Sequence, residues 1–353
     1  MTLSQEDLRT LTTACASPSF TSTQLWLNGE PQDVSGPRQS ACFNELKRLR
    51  ARLESEDPSI PKLSQYHLHI VSENNFPTAA GLASSAAGFA ALVRAIADLY
   101  KLPQSPTELS RIARQGSGSA CRSLVGGYVA WEMGELADGS DSLAVQVAPA
   151  SHWPTMRAAI LVVSAAKKGV SSTAGMQATV ATSSLFPQRA NTIVPQRMRE
   201  MLTAIAARDF PVFATLTMRD SNSFHAVCLD TDPPIFYLND VSRNVMRVIS
   251  ELNRARGEIV AAYTFDAGPN AVIYYELHNQ PLVLHTLSAV GLNGLIPGWE
   301  NPSQTALLPT FDPRLKDTLK EGVSRVILTG VGSDPISVQT HLVGLDGLPL
   351  ITK

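Results

Sequence analysis

The pattern of hydrophobic and polar positions divides the chain into helical and extended segments. Apolar side chains recur every three or four residues in the segment Pro37 to Leu53, which predicts an amphipathic helix. Alternation in Tyr66 to Val71, reading YHLHIV, predicts a strand, and the apolar run Arg157 to Ser164, reading RAAILVVS, predicts a buried strand. Asn28-Gly29 is typical of a hairpin turn.

The second half of the chain repeats this mixture of strands and helices. The pattern restarts near residue 150, and a chain of 353 residues is long enough for two domains of roughly 150 residues or more. Strands and helices alternate without a regular parallel period, so we predict an α+β fold with domains at 1–150 and 151–353. The strands expected late in the chain are Glu258 to Phe265, Ala271 to Leu277 and Arg325 to Leu328.

Charge and composition exclude several classes of function. The net charge is −2, and the basic cluster Lys47 to Arg52 is typical of a solvated helix face, so we expect neither nucleic acid nor a membrane as a partner. The four cysteines form no C-x-x-C pair, which favours a reducing, cytoplasmic location. His67 and His69 read as paired surface histidines. We therefore expect no metal site at these histidines.

A stretch of small residues, NFPTAAGLASSAAG, follows the YHLHIV strand and precedes a helix. The first amides of a helix have no internal partners, and small side chains let phosphate oxygens reach them. Ser84 and Ser85 add hydroxyl groups. Close helix packing, which also favours Gly and Ala, is the alternative. Neither GxxxxGK[ST] nor GxGxxG is present at this turn.

A second turn, GSGSACRSL from Gly116 to Leu124, combines glycines, serines and Arg122. Open backbone, hydroxyl donors and a planar guanidinium suit a carboxylate or a phosphate. The turn is therefore a candidate substrate-anion site, and a solvated loop with one surface arginine is the alternative.

A third segment, YTFDAGPNA, places Asp266 at the end of an apolar strand and before a Gly-Pro turn. An acid between Phe265 and Ala267 is expected to be partly desolvated, which suits a proton-transfer role. The alternative is an aspartate that only caps the turn.

Together the three motifs resemble the diphosphomevalonate decarboxylase family of the GHMP kinase superfamily. The pattern P-x-x-x-G-L-x-S-S-A resembles the superfamily's phosphate loop, and the likeness continues through WLNGEPQD and DSNSFHAVCLDTDPPI to HLVGLDGLP. The resemblance implies a two-domain fold with a ribosomal-protein-like βαβ N-terminal domain and a ferredoxin-like C-terminal α/β sandwich. It also suggests a homodimer.

The resemblance implies an enzyme of the mevalonate pathway. It would use ATP and Mg²⁺ to convert (R)-5-diphosphomevalonate into isopentenyl diphosphate, CO₂, ADP and phosphate, through phosphorylation of the tertiary hydroxyl. The implied catalytic residues are Asp266 near that hydroxyl, Arg122 on the substrate carboxylate and Ser85 near the transferred phosphoryl group. The implied ATP-binding residues are Pro77, Ala79, Ala80, Gly81, Leu82, Ala83, Ser84 and Ser85. The implied substrate-binding residues are Arg38, Ser117, Gly118, Ser119, Ala120, Cys121, Arg122 and Thr173.

The beginning of the chain departs from the family pattern. Family members begin with a strand and loop of the form N-I-A-x-x-K-Y-W-G-K-R and a segment like L-P-x-N-S-S-L-S, and residues 1–20 match neither. We therefore expect this strand and loop to be missing, which keeps an inactive truncated variant as one alternative. A mevalonate or phosphomevalonate kinase is another, although such kinases tend to carry G-x-G-G where this chain has FDAGP.

Overall fold

The chain forms two compact units, divided after residue 150. The structure is a computed structural model that describes residues 1–76, 84–163, 169–299 and 309–350. Of these, 1–76, 84–150 and 332–350 form the first unit, and 151–331 supply the second. The sequence prediction assigned 332–350 to the second domain. They pack with the first unit instead, because Leu342 and Val343 share an apolar cluster with Trp26 and Val71.

The first unit is built on a four-stranded sheet with the strand order β1-β4-β2-β3. Strands β2 and β4 are parallel, and the other neighbours are antiparallel. The elements are β1 (Thr10–Ser17), β2 (Gln24–Leu27), β3 (Glu30–Gln32), α1 (Pro37–Glu56), β4 (His67–Asn74), α2 (Ser84–Leu99), α3 (Pro106–Gly116), a 3₁₀ helix (Gly118–Leu124), and a two-stranded sheet of β5 (Tyr128–Trp131) and β6 (Ala144–Ala148).

Local sequence explains much of this unit. The α1 helix buries Cys42 and Leu46, which confirms the predicted apolar face. Asn28 and Gly29 have φ values of 50° and 83° between β2 and β3, as a two-residue hairpin with both central residues left-handed requires.

Two predictions about polar residues in this unit are wrong. Arg50, within the cluster interpreted as solvated, is buried against Glu54. His69 is buried rather than at the surface, because its ring stacks on Phe20 at a centroid distance of 3.7 Å and its Nδ1 lies 2.8 Å from the carbonyl oxygen of Gly347.

The second unit contains an antiparallel sheet with the strand order β10-β7-β9-β8. Its largest core packs one set of strand side chains against α8, α9 and α10, and α7 lies against β8. The strands are β7 (Met156–Val163), β8 (Ala261–Phe265), β9 (Ala271–Glu276) and β10 (Val323–Gly330), and the helices are α4 (Ser172–Thr182), α5 (Phe186–Gln188), α6 (Val194–Ala207), α7 (Phe210–Leu229), α8 (Asp240–Arg256), α9 (Gln280–Leu287) and α10 (Pro313–Gly322).

The second unit therefore has the expected α/β sandwich character, with each predicted strand present.

Within the described ranges, no helix combines the length and the apolar character that crossing a membrane requires.

Candidate functional site

The GSGSACRSL segment forms a 3₁₀ helix rather than an open turn. Ser117 ends α3 and begins the 3₁₀ helix, and its carbonyl accepts a hydrogen bond from the N–H of Ala120 at 2.8 Å. Ser117, Gly118 and Ser119 are half-buried, whereas the side chains of Ala120 and Cys121 are fully buried. The last two can therefore offer a ligand only their main-chain groups.

The polar groups of this segment are available for a ligand. No hydrogen bond to the hydroxyl groups of Ser117 and Ser119 is found within the described part of the chain. The Arg122 guanidinium likewise makes no ion pair with a described carboxylate. A cation that pairs with no described carboxylate, and two hydroxyl groups in the same segment, form a suitable site for a carboxylate or phosphate.

Trp131, at the end of β5, contacts the guanidinium of Arg122 through its indole ring. The Arg122 Cζ atom lies 5.8 Å from the centre of the Trp131 ring, within cation–π range. The indole Nε1 donates to the Oγ of Ser142 at 3.0 Å, and that hydroxyl donates to the carbonyl of Glu132 at 3.0 Å. A Cβ atom on Gly118 would lie 2.9 Å from the indole ring, so only glycine fits this position without a shift of the ring. Sequence analysis did not identify Trp131, because it is nine residues beyond Arg122.

The α2 helix packs against this serine-rich segment. Gly116 directly faces Phe89 on α2, and a Cβ atom at Gly116 would lie 2.0 Å from the phenyl ring. Ser85 is exposed in the first turn of α2, Ser84 is half-buried, and that turn contains no acidic residue. The helix end is thus suited to an anion. The other predicted ATP-binding residues lie outside the described residues: Pro77, Ala79, Ala80, Gly81, Leu82 and Ala83.

Asp266 begins the turn that joins β8 to β9 in the second unit. Its side chain is exposed, whereas Phe265 and Ala267 on either side are buried. The expectation that flanking apolar residues desolvate the carboxylate is therefore wrong. No hydrogen bond to this carboxylate is found among the described residues, so the alternative of a turn-capping aspartate gains no support either.

The turn that carries Asp266 is held on several sides. The N–H of Gly268 donates to the carbonyl of Asp266 at 2.7 Å. The hydroxyl of Ser242, on α8, donates to the carbonyl of Pro269 at 3.0 Å, and the Oδ1 of Asn270 accepts from the N–H of Val163 at 2.7 Å. An exposed carboxylate on a well-anchored turn suits a group that must meet a substrate at a fixed place.

The remaining predicted residues both lie in the first turn of a helix. Arg38 is exposed near the start of α1. Thr173 is half-buried near the start of α4, where the Oγ of Ser171 accepts from the N–H of Ala174 at 3.2 Å. The Oη of Tyr237 lies 3.4 Å from the carbonyl oxygen of Ser171.

Tyr237 lies near both the start of α4 and the Asp266 turn. Burial raises the pKa of Tyr237, and repulsion from the Cys228 thiolate, which forms only at high pH, and from the Asp266 carboxylate adds to that effect. Tyr237 thus interacts with two predicted site segments of the second unit: the start of α4, which carries Thr173, and the turn that carries Asp266. No cluster of three or more His, Cys, Asp or Glu side chains able to hold a metal occurs in the described ranges.

Comparison with protein families finds two matches that together cover most of the chain. Residues 1–144 match the diphosphomevalonate decarboxylase-like N-terminal domain, and residues 158–338 match the mevalonate 5-diphosphate decarboxylase C-terminal domain. The second match ends inside the segment that packs with the first unit.

Individual proteins are similar over nearly the whole length. Diphosphomevalonate decarboxylase mvd1 of Aspergillus fumigatus is 62% identical over 98% of this chain and 88% of the relative. A crystal structure of mevalonate 5-diphosphate decarboxylase superposes with a TM-score of 0.86, at 53% identity, over 98% of this chain and 90% of that one. The structure of MDDEF in complex with MVAPP, AMPPCP and magnesium gives a TM-score of 0.70 at 27% identity, over 94% and 87% of the two chains.

Proposed function

Because this chain belongs to the diphosphomevalonate decarboxylase family, we propose that it converts (R)-5-diphosphomevalonate and ATP into isopentenyl diphosphate, CO₂, ADP and phosphate. The observation that carries the proposal is the 62% identity to a diphosphomevalonate decarboxylase over 98% of the chain. The GHMP kinase-like fold, with its two α+β units, agrees with it.

The chemistry assigns a separate task to each of these polar groups. Asp266 orients the tertiary hydroxyl of the substrate and accepts its proton as that oxygen is phosphorylated. Arg122 binds the neighbouring carboxylate through its planar donors, and the hydroxyls of Ser117 and Ser119 support it. Once the new phosphate leaves, positive charge builds at the tertiary carbon and the carboxylate departs as CO₂. Arg38 and Thr173 contact the rest of the substrate.

The first turn of α2 provides a place for the phosphates of ATP. Its amides lack helical partners, it carries no acidic side chain, and the Ser85 hydroxyl is exposed. Mg²⁺ bound to ATP neutralises charge on the transferred phosphoryl group. The MDDEF complex with AMPPCP and magnesium supports the same requirement here. We also propose a homodimer, which the family resemblance suggests, and a cytoplasmic location, which the unpaired spacing of the four cysteines favours.

The decisive experiment follows two products at once. The purified chain is incubated with ATP, Mg²⁺ and diphosphomevalonate labelled with ¹⁴C in the carboxylate, and ADP and ¹⁴CO₂ are measured together. We expect one CO₂ for each ADP. ADP formed without CO₂ would instead indicate a kinase, and the absence of both products would indicate an inactive chain.

Asp266→Asn tests the role of the acid. We expect kcat to fall by at least about 100-fold, since positioned acid–base groups contribute about that much or more, with little change in the Kd of ATP. Asp317→Asn is the matched control, because Asp317 is also exposed in the second unit, on α10, with no described hydrogen bond or ion pair. An Asp266 variant that loses ATP binding would contradict the assigned role.

A further inference from the structure

The indole ring of Trp131 contacts the 3₁₀ helix Gly118–Leu124 at two places. The Arg122 Cζ atom lies over the ring, 5.8 Å from its centre. Gly118, at the start of the same helix, approaches the ring so closely that a Cβ atom there would lie 2.9 Å from it. The ring is therefore packed against the helix that carries Arg122 and not only against the guanidinium.

The hydroxyl of Ser142, just before β6, holds the indole in this place. Nε1 of Trp131 donates to the Ser142 Oγ at 3.0 Å, and that hydroxyl donates to the carbonyl of Glu132 at 3.0 Å. Only 5% of Ser142 is exposed. These bonds restrict rotation of the Trp131 side chain, because a rotated ring would leave the buried hydroxyl without its donor.

The loop that carries Ser142 is itself fixed. The N–H of Ser142 donates to the carbonyl of Gly139 at 3.1 Å, and the guanidinium of Arg114, on α3, donates to the same carbonyl. The carboxylate of Asp141 accepts from the N–H of Glu135 at 2.7 Å. Ser142 is therefore held in place relative to α3, the helix that leads directly into the 3₁₀ helix.

The contact with Trp131 restricts a guanidinium that pairs with no described carboxylate. An arginine side chain loses rotamer freedom when it binds a ligand, and this loss lowers the affinity. An aromatic ring attracts the guanidinium but offers no acceptor oxygen, so the N–H donors of Arg122 stay available for a carboxylate. Trp131 thus orders Arg122 before the ligand binds without occupying its donors.

We propose that Trp131 and Ser142 are positioning residues for the carboxylate of the substrate. Ser142 fixes the indole, and the indole holds the Arg122 guanidinium where that carboxylate binds. The inference rests on the proposed role of Arg122 in binding the carboxylate of diphosphomevalonate. It makes the hairpin of β5 and β6 a determinant of selectivity for ligands that carry a carboxylate.

The test measures the binding of two ligands that differ at the carboxylate. Diphosphomevalonate carries it, whereas isopentenyl diphosphate keeps the diphosphate and lacks the carboxylate. Titration calorimetry without ATP gives the Kd of both ligands. Ser142→Ala removes the acceptor of the indole N–H, and Trp131→Phe keeps an aromatic ring without that donor. Arg122→Gln provides the background in which the carboxylate has lost its guanidinium.

Ser110, on α3, provides the matched control. Its hydroxyl is also buried, accepts from the N–H of Ala144 at 3.0 Å and donates to the carbonyl of Thr107 at 2.6 Å. Ala144 pairs with Trp131 between β5 and β6, so this hydroxyl holds the same hairpin without a hydrogen bond to the indole. Ser110→Ala should lower the melting temperature and leave both Kd values unchanged.

We expect Ser142→Ala and Trp131→Phe to raise the Kd of diphosphomevalonate by about 3- to 10-fold, the effect of a typical single hydrogen bond. The Kd of isopentenyl diphosphate should stay unchanged in both variants. In the Arg122→Gln background, Ser142→Ala should raise the Kd of diphosphomevalonate no further, because residues that act through one another are not additive.

Four results would overturn the proposal: an unchanged Kd of diphosphomevalonate in Ser142→Ala, an equal rise for both ligands, the full effect of Ser142→Ala in the Arg122→Gln background, or the same selective rise in Ser110→Ala. If isopentenyl diphosphate binds too weakly to be measured, the Arg122→Gln background and the control decide. If Trp131→Phe fails to fold, Ser142→Ala decides.

The binding data do not depend on turnover, so the two proposals can fail separately. A wild-type chain that binds diphosphomevalonate but releases no CO₂ would refute the proposed function and leave this inference standing. An active chain whose Ser142→Ala variant binds diphosphomevalonate normally would refute the inference alone. A wild-type chain that binds no diphosphomevalonate would refute both.

Discussion

Two arginine–glutamate pairs on α1 have the same i, i+4 spacing and differ in burial. Arg50 and Glu54 are 4% and 5% exposed, and Arg50 Nε lies 2.8 Å from Glu54 Oε1. Arg52 and Glu56 are 69% and 56% exposed, with Arg52 Nε 2.9 Å from Glu56 Oε1. The two pairs thus have nearly equal distances, and the same substitution in each compares a buried ion pair with an exposed one.

Other groups complete the buried pair. Arg50 also donates to the carbonyls of Tyr100 and Pro61 at 2.8 and 2.6 Å, and Glu54 accepts from the N–H of Ser64 at 2.9 Å. Burial alone would raise the pKa of Glu54, but hydrogen bonds from Ser64 and Arg50 outweigh it and hold the pKa below its usual value. Glu54 is therefore ionised in the folded chain at neutral pH.

Glu54→Gln keeps the size of the side chain and removes its charge, which leaves the guanidinium of Arg50 buried without a counter-ion. Removing one partner of a buried pair costs about 3–5 kcal/mol, so we expect the free energy of unfolding of the first unit to fall by that amount. Glu56→Gln should cost no more than about 0.5 kcal/mol, because exposed helical pairs contribute about that much.

Urea denaturation followed by circular dichroism measures both losses, and the melting temperature should fall by roughly 2–4 °C per kcal/mol for a unit of this size. The ionised Glu54 stabilises the fold above its unfolded pKa, and this contribution is lost as the pH falls through its lowered pKa. The Gln variant should lack that part of the acid sensitivity. Equal losses in Glu54→Gln and Glu56→Gln would refute the reasoning.

Two further predictions concern Trp131 and His225. Trp131→Leu removes the aromatic ring that lies against the Arg122 guanidinium. Because a cation–π contact contributes about 0.5–2 kcal/mol, we expect the KM of diphosphomevalonate to rise by about 2- to 30-fold and the KM of ATP to stay unchanged. An equal rise in both KM values would contradict this prediction. Burial lowers the pKa of His225 from an ordinary 6.5 to about 4, with the charge of Asp266 opposing the fall and Arg189 adding to it. Between pH 6.5 and 4 the unfolded chain therefore binds a proton at His225 that the folded chain does not. The free energy of unfolding should fall by up to about 3 kcal/mol as the pH drops from 6.5 to 4. Urea denaturation of His225→Asn at several pH values should show a weaker dependence on pH.

Elements with a strong periodic signal could be predicted from sequence, since local burial determines that signal. The α1 helix and the β7 and β9 strands occur where the pattern predicts them: α1 ends three residues later than predicted, and the strand ends differ by at most one residue. The β1 strand, Thr10–Ser17, gave only weak alternation, because all of its residues are half-buried. A period of two marks a strand clearly only when one face is buried and the other is solvated.

Contacts between distant segments could not be predicted in this way. The burial of Arg50 depends on backbone carbonyls of Tyr100 and Pro61, 50 and 11 residues away. The packing of Leu342 against Trp26 likewise brings the end of the described chain to the first sheet. A single sequence shows that arginine is usually solvated and that an apolar residue is usually buried, but not which partners the fold supplies.

Asp266 illustrates both what the sequence pattern predicts and what it does not. Its strand and its turn were evident from the sequence, whereas its exposure was not, because the prediction let flanking Phe265 and Ala267 define its surroundings. In an extended segment neighbouring side chains point to opposite sides, so the burial of those two residues turns Asp266 outward. The water around its carboxylate must then be displaced by the molecule that binds there. The turn that carries the carboxylate is anchored by the hydrogen bonds of Ser242 and Asn270, so the same acid can meet a substrate at a fixed place without being buried beforehand.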